Sequence, residues 1–128
     1  MLHFPFGVLD LDRLWQDGVF SYARASRTDA RVGRHTWPML KQLGLQELNV
    51  DYVVVDTLRV PRATFAQIFE AWRDGYAGVL GERSKLTQNE TLALFNQVVA
   101  SIRDESSYAV WHVPVLSGRK PSSSGKPG

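Results

Sequence analysis

The chain contains no cysteine, which excludes disulfides and thiolate-based metal or redox sites and fits a reducing compartment. No apolar run approaches the roughly 20 residues of a membrane span. Neither sign of charge is in excess: 15 basic residues against 13 acidic ones leave a net charge of +2. The sequence pI near 9.2 reflects only that small difference, too slight to argue for nucleic acid. Several motifs are also missing. There is no GxGxxG, Walker A, GxSxG or HExxH pattern. Glycine and lysine do recur between Gly118 and Lys126, but at the wrong spacing for a phosphate loop and with no Ser or Thr after them. The histidines are His3, His35 and His112, so a zinc site would need ligands gathered from distant places. The N-terminus, MLHFPFGVLDLDRLW, lacks a basic n-region and carries Asp10 and Asp12 early. It does not read as a secretory signal, and a cytoplasmic location is the expectation. Asn89-Glu90-Thr91 is a formal glycosylation sequon, without meaning in that setting.

At 128 residues the length suits one domain with one sizeable core. The most strand-like stretch lies near the middle, in Leu45 to Val60. Leu48, Val50, Tyr52 and Val54 alternate with Asn49 and Asp51, giving one apolar face. From Val53 to Val55 both faces are apolar, so this end is expected under cover on both sides. A second strand is predicted over Ser107 to Leu116, where Pro114 cannot donate to a ladder and marks a bulge or an unpaired side.

Helical periodicity surrounds these strands. Asp10 is a candidate N-cap, followed by Leu11, Leu14, Trp15, Gly18 and Tyr22 on one face. Gly18 costs that helix about 1 kcal/mol against alanine. Thr36 is expected to cap a short helix, with Pro38 in its first turn and Gly44 at the left-handed position after its end. Phe65, Ile68, Phe69, Trp72, Tyr76, Val79 and Leu80 give the clearest amphipathic pattern, from Pro61 to a stop at Gly81. Thr87-Gln88-Asn89-Glu90 has the form of a capping box. The helix it opens carries Leu92, Phe95, Val98, Val99 and Ile102. Residues 3–8 read as a loop packed by its phenylalanines, and the end of the chain, residues 119–128, as a disordered tail. The sum is an α/β chain with about four helices and only two clear strands. A two-stranded sheet is marginal alone, so the strands are expected either to pair with another chain or to belong to a larger domain.

Candidate functional residues are few. Arg24, Arg27, Arg31 and Arg34 would form one basic stripe if their segment were helical. With no basic cluster elsewhere and no stacking aromatic beside it, a solvated face is the better reading, and a nucleic-acid partner is unlikely on sequence grounds. Phe65, Phe69, Trp72 and Tyr76 suit a core better than a ligand pocket. His35, Trp37, Tyr52, Asp56 and Arg59 sit at the ends of elements, where ligand groups gather. Asp56 fits either an acid/base or ligand role, or a cap on the turn into Pro61.

Taken in order, several segments (G-x-x-x-W-P-M-L-K-Q-L-G-L, then V-D-Y-V-V-V-D-T-L-R-V-P-R-A-T-F and A-W-R-D-G-Y, closing on Y-A-V-W-H-V-P-V-L-S-G-R-K-P) resemble the C-terminal half of class I S-adenosylmethionine-dependent methyltransferases. The similarity is to the ubiquinone/menaquinone-biosynthesis-like group and covers roughly residues 5–120. It implies a partial Rossmann-like methyltransferase fold, in which Glu47 to Asp56 and the terminal strand are the last two strands, an antiparallel pair. Residues 1–118 would be the C-terminal portion of such a domain, with a helical substrate cap inserted over 61–104. The family's glycine-rich loop and its ribose-binding acid have no counterpart here. The resemblance therefore implies a substrate-side portion, inactive alone and not binding S-adenosylmethionine by itself. His35, Trp37, Tyr52, Asp56 and Arg59 would then orient a small-molecule methyl acceptor. A different expectation, from the strands themselves, is a stand-alone non-enzymatic α/β module that dimerises through strand edges.

Overall fold

The structure, a computed structural model, describes residues 2–3 and 11–123. A short strand β1 (Leu2–His3) is followed by a continuous helical run made of α1 (Leu11–Arg13), a π-helical segment (Leu14–Val19) and α2 (Phe20–Ala25). Then come α3 (Gly33–Gln42), β2 (Gln46–Asp56), α4 (Arg62–Arg83), α5 (Gln88–Arg103) and β3 (Val110–Arg119). The class is α/β with four helical runs, as expected. The strand order is β1-β3-β2. β1 pairs antiparallel with the start of β3, Leu2 opposite Trp111 and His3 opposite Val110. β2 and β3 are also antiparallel. The Thr57 amide donates to the Ala109 carbonyl at 3.1 Å beyond one end, and Arg119 meets Glu47 near the other, both in one register.

Where the sequence predicts one domain, the chain divides into two compact units: residues 1–30 with 54–112, and residues 31–53 with 113–128. The first unit holds the hydrophobic core, centred on Leu14, Phe65, Phe69, Phe95, Val98 and Ile102. Each fully buried side chain of this size stabilises by about 1.5–3 kcal/mol relative to exposure. α4 and α5 form its helical hairpin. At 22 residues, α4 is about 33 Å long. It does not stop at Gly81. That glycine lies inside the helix because an added Cβ would stand 2.7 Å from the Gln88 amide nitrogen, so close approach of the start of α5 is what requires it. The Thr87/Glu90 capping box forms in full: the Glu90 amide donates to Thr87 Oγ1 at 3.1 Å, and the Thr87 amide to Glu90 Oε2 at 2.8 Å. Phe95, Val98, Val99 and Ile102 face the core as expected, joined by Thr91 and Leu94, while Leu92 is only half-buried.

Gly18, a helix weakener by propensity, is buried, with Leu86 Cδ1 3.0 Å from where its Cβ would be. The helical run ends in a paired-hydrogen-bond motif: the Arg27 amide donates to the Arg24 carbonyl and the Thr28 amide to that of Ala23. Arg27 takes the left-handed conformation there, at φ 54, a place glycine fills at less cost. The Arg24–Arg34 segment is therefore not one helix, and the basic stripe does not form.

The second unit has no buried residue among those described. α3 begins at Gly33, before the expected cap at Thr36, whose hydroxyl instead donates to the Val32 carbonyl at 2.9 Å. Pro38 is thus the sixth of the ten residues of α3, an interior position where proline removes one ladder bond and its ring crowds the carbonyl of Arg34. Gly44 is left-handed, at φ 77, as predicted. It completes the same end motif, its amide bonding Lys41 O and the Leu45 amide bonding Leu40 O.

The strands also shift. Val53, expected under cover, is 51% exposed, because the core reaches β2 only from Val55 onward. β3 starts later than predicted, since Asp104 holds residues 104–107 in a turn by accepting from the Ser106 amide at 2.9 Å. It also ends later, running through Ser117 and Gly118 and taking Arg119 from the predicted tail. Gly118 fits because it faces Leu48, whose Cδ2 would be 2.7 Å from a Cβ. Pro114 lies on an unpaired side: among the described residues β1 accompanies β3 at Val110 and Trp111. Of the rest of the predicted tail, residues 120–123 follow β3 without regular structure, and residues 124–128, like the phenylalanine loop at residues 4–8, lie outside the described residues.

Candidate functional site

Of the five residues singled out by sequence, Asp56 and Arg59 come together. Asp56 ends β2 and is fully buried. Its carboxylate accepts from the Leu58 amide at 3.0 Å, the Arg59 amide at 2.7 Å, the Tyr108 hydroxyl at 3.0 Å and the Arg59 guanidinium. Two amides bonded from one aspartate make a local turn cap, and the four donors match the acceptor capacity of a carboxylate. Burial pushes this carboxyl up. The Arg59 amide, the Tyr108 hydroxyl, the Leu58 amide and the Arg59 guanidinium outweigh it and hold the group below the usual carboxylate range. Burial, followed by the bond to and charge of Asp56, pushes Tyr108 up. An ionised aspartate with every lone pair engaged has no acceptor left for a substrate. This geometry is that of the cap, the second of the two roles the sequence leaves open.

His35, Trp37 and Tyr52 belong to the other unit. His35 and Trp37 lie on α3, with Lys41 Nζ over the Trp37 ring at 5.9 Å. Tyr52 is on β2 and 65% exposed. Val53 and Val115 on the strands, Met39 of α3 and its caps Val32 and Leu43 are further exposed apolar residues of the same unit. Val32, Met39 and Leu43 follow helical spacing, so they share one face. Its half-buried residues, Trp37 and Leu40 among them, lie on another. β2 is the end strand of the sheet order, so among the described residues its outer edge has no partner strand. Over Asp51–Val53 it is exposed on both faces.

The first unit also contains a cavity of about 420 Å³. Trp15, Val19 and Tyr22 of the helical run form one wall, Trp72, Tyr76 and Leu80 of α4 another, and Phe95 of α5 contributes to it. The four aromatics of α4 thus divide. Phe65 and Phe69 are buried in the core, as the sequence predicts; Trp72 packs against that core and also lines the cavity, and Tyr76 lines the cavity. An edge-on chain connects the two sets: Phe69 to Trp72 at 4.9 Å between ring centroids, and Trp72 to Trp111 at 5.3 Å.

Two residues escaped the sequence reading. Tyr108 reaches Asp56 across 52 positions of sequence. Arg62 bonds the carbonyls of Ile102, Asp104, Glu105 and Ser107. A cation in the first turn of α4 opposes the helix dipole, and that was the available signal that its partner lay elsewhere. Among the described residues no group of three or more His, Asp or Glu side chains gathers as a metal site, and no helix is long and apolar enough to cross a membrane. No family model, curated protein or solved structure matches the chain.

Proposed function

We propose that this chain is a stand-alone, non-enzymatic α/β interaction module that dimerises through the free edge of β2. The observation that carries the reading is the outer edge of β2 over residues 46–53, beside exposed Tyr52, Val53 and Val115. An unpaired strand edge offers a row of amide and carbonyl groups to another strand, and exposed apolar side chains beside it add contact area toward the roughly 1,000 Å² that a stable interface needs. Pairing with a second copy buries both. Glu47 and Asp51 disfavour registers that place them opposite their own copies, so the pairing centres on Tyr52 and Val53. Light scattering on size-exclusion fractions tests this. The expected mass is about twice the 14.4 kDa of the chain, falling to the monomer in Val53→Lys with the thermal melt retained. A monodisperse monomer at all concentrations removes the proposal.

A second reading is the C-terminal, substrate-side portion of a methyltransferase, with the S-adenosylmethionine site supplied by residues outside this chain. The antiparallel β2–β3 pair supports it, together with β3 lying between two strands. It expects no tight binding of labelled S-adenosylmethionine to the chain alone. It also expects an aggregating or molten chain, where the dimer reading expects a cooperative one. A cooperative homodimer decides against it.

A further inference from the structure

The strand-edge reading makes no use of the cavity in the first unit. We propose that this cavity is a binding site for a small, neutral, planar apolar molecule, an aromatic compound of two or three fused or linked rings. Its volume, about 420 Å³, lies within the range of about 300–1,000 Å³ usual for ligand pockets. Its walls carry Trp15, Tyr22, Trp72, Tyr76 and Phe95, and aromatic faces and edges bind flat rings by offset or edge-on contact. Among the described residues no carboxylate, ammonium or guanidinium lines it, so a charged ligand would lose its hydration without compensation. The lining hydroxyl of Thr28 already donates to the Ala23 carbonyl, at 3.4 Å. Polar selection is thus left to the tyrosine hydroxyls of Tyr22 and Tyr76.

A second, independent feature points to the same place. Trp15 and Val19, two wall residues, lie in the π-helical segment Leu14–Val19, where the Phe20 amide bonds the Trp15 carbonyl. A π turn is rare and, inside an α-helical run, is frequently found at a functional site. Here the same segment gives Leu14 and Gly18 to the buried interior and Trp15 and Val19 to the cavity wall.

The test uses the full chain and N-phenyl-1-naphthylamine, a neutral planar probe that accepts excitation energy from tryptophan. Titration is expected to give saturable, one-to-one quenching of tryptophan emission with matching probe enhancement. Tyr76→Glu puts a charge on the wall at a half-exposed position, and at an unchanged melting temperature it should weaken binding at least tenfold. Leu58→Glu, an exposed apolar position that does not line the cavity, should leave binding unchanged. Non-saturable binding, or saturable binding insensitive to Tyr76→Glu, overturns the proposal. Binding that arises only in Phe4→Ser/Phe6→Ser also overturns it, assigning the cavity to the chain's own N-terminal phenylalanines.

Discussion

Replacing Arg62 by methionine removes a guanidinium while keeping most of the aliphatic stem. In the structure its Nη1 donates to Ile102 O at 2.9 Å and Asp104 O at 2.8 Å, and its Nη2 to Ser107 O at 2.7 Å and Glu105 O at 3.3 Å. α5 ends at Arg103, so Arg62 serves the unsatisfied carbonyls of a helix terminus from another helix. The bonds to Ile102 and Ser107 are partly buried, and those to Asp104 and Glu105 are exposed. At about 1–1.5 kcal/mol for each partly buried bond and a few tenths for each exposed one, the loss is about 3 kcal/mol. For a chain of this size that corresponds to a fall in melting temperature of roughly 10 °C. Urea unfolding followed by far-UV circular dichroism measures it, with the m-value as a check that unfolding exposes the same surface. Lysine retains the charge but not the planar fork, so Arg62→Lys should recover less than half of the loss. A loss below about 1 kcal/mol in Arg62→Met with m unchanged would refute the reasoning: water would then serve these carbonyls as well as the arginine does.

Glycines separate by their surroundings. An added Cβ meets nothing within 4 Å at Gly75 and Gly78, so alanine at either should stabilise α4 by about 0.5–1 kcal/mol. At Gly81 the same change should destabilise, because Gln88 backbone must move; denaturant midpoints of the three variants decide. Arg27→Gly should raise stability by about 1 kcal/mol by relieving the left-handed conformation, and an unchanged or lowered midpoint would count against that end motif. Thr87→Ala should cost about 1 kcal/mol through loss of the cap of α5, seen as a lower urea midpoint. The depressed pKa of Asp56 gives stability that is complete above the unfolded-state aspartate value, near 3.9, and lost as pH falls through the lower folded value. Asp56→Asn should therefore flatten the melting temperature against pH below about pH 4, and a curve parallel to that of the parent would show that Asp56 is not the titrating group.

The capping box at Thr87, the left-handed Gly44 and the core face of α4 were readable because each depends on residues within a few positions of one another. The edges of elements were not. α3 started before Thr36 although that places Pro38 in its interior, against the local preference of proline. α4 ran past Gly81 because that glycine answers to Gln88 rather than to its own helix. β3 extended through Gly118 because Leu48 lies opposite. The aromatic pattern of α4 read as core throughout, but periodicity assigns a residue to a face and not to what covers it. Phe65 and Phe69 lie wholly in the core, Trp72 packs against it and also lines the cavity, and Tyr76 lines the cavity. Of the five candidate site residues, Asp56 and Arg59 came together in a cap that exposes no free acceptor.

The sequence by itself determined the class of this protein, its helical runs and its two long strands, since helix caps, amphipathic spacing and alternation act over a turn or a strand and are written in neighbouring residues. Only the tertiary structure decided that the core lies in one of two units. It likewise decided that, among the described residues, the edge of β2 beside Tyr52 and Val53 has no partner strand, and that Trp15 and Trp72 face a common cavity. Those outcomes depend on contacts between distant positions, such as Asp56 with Tyr108 and Arg62 with Ser107. No local pattern records which distant partner a side chain will meet.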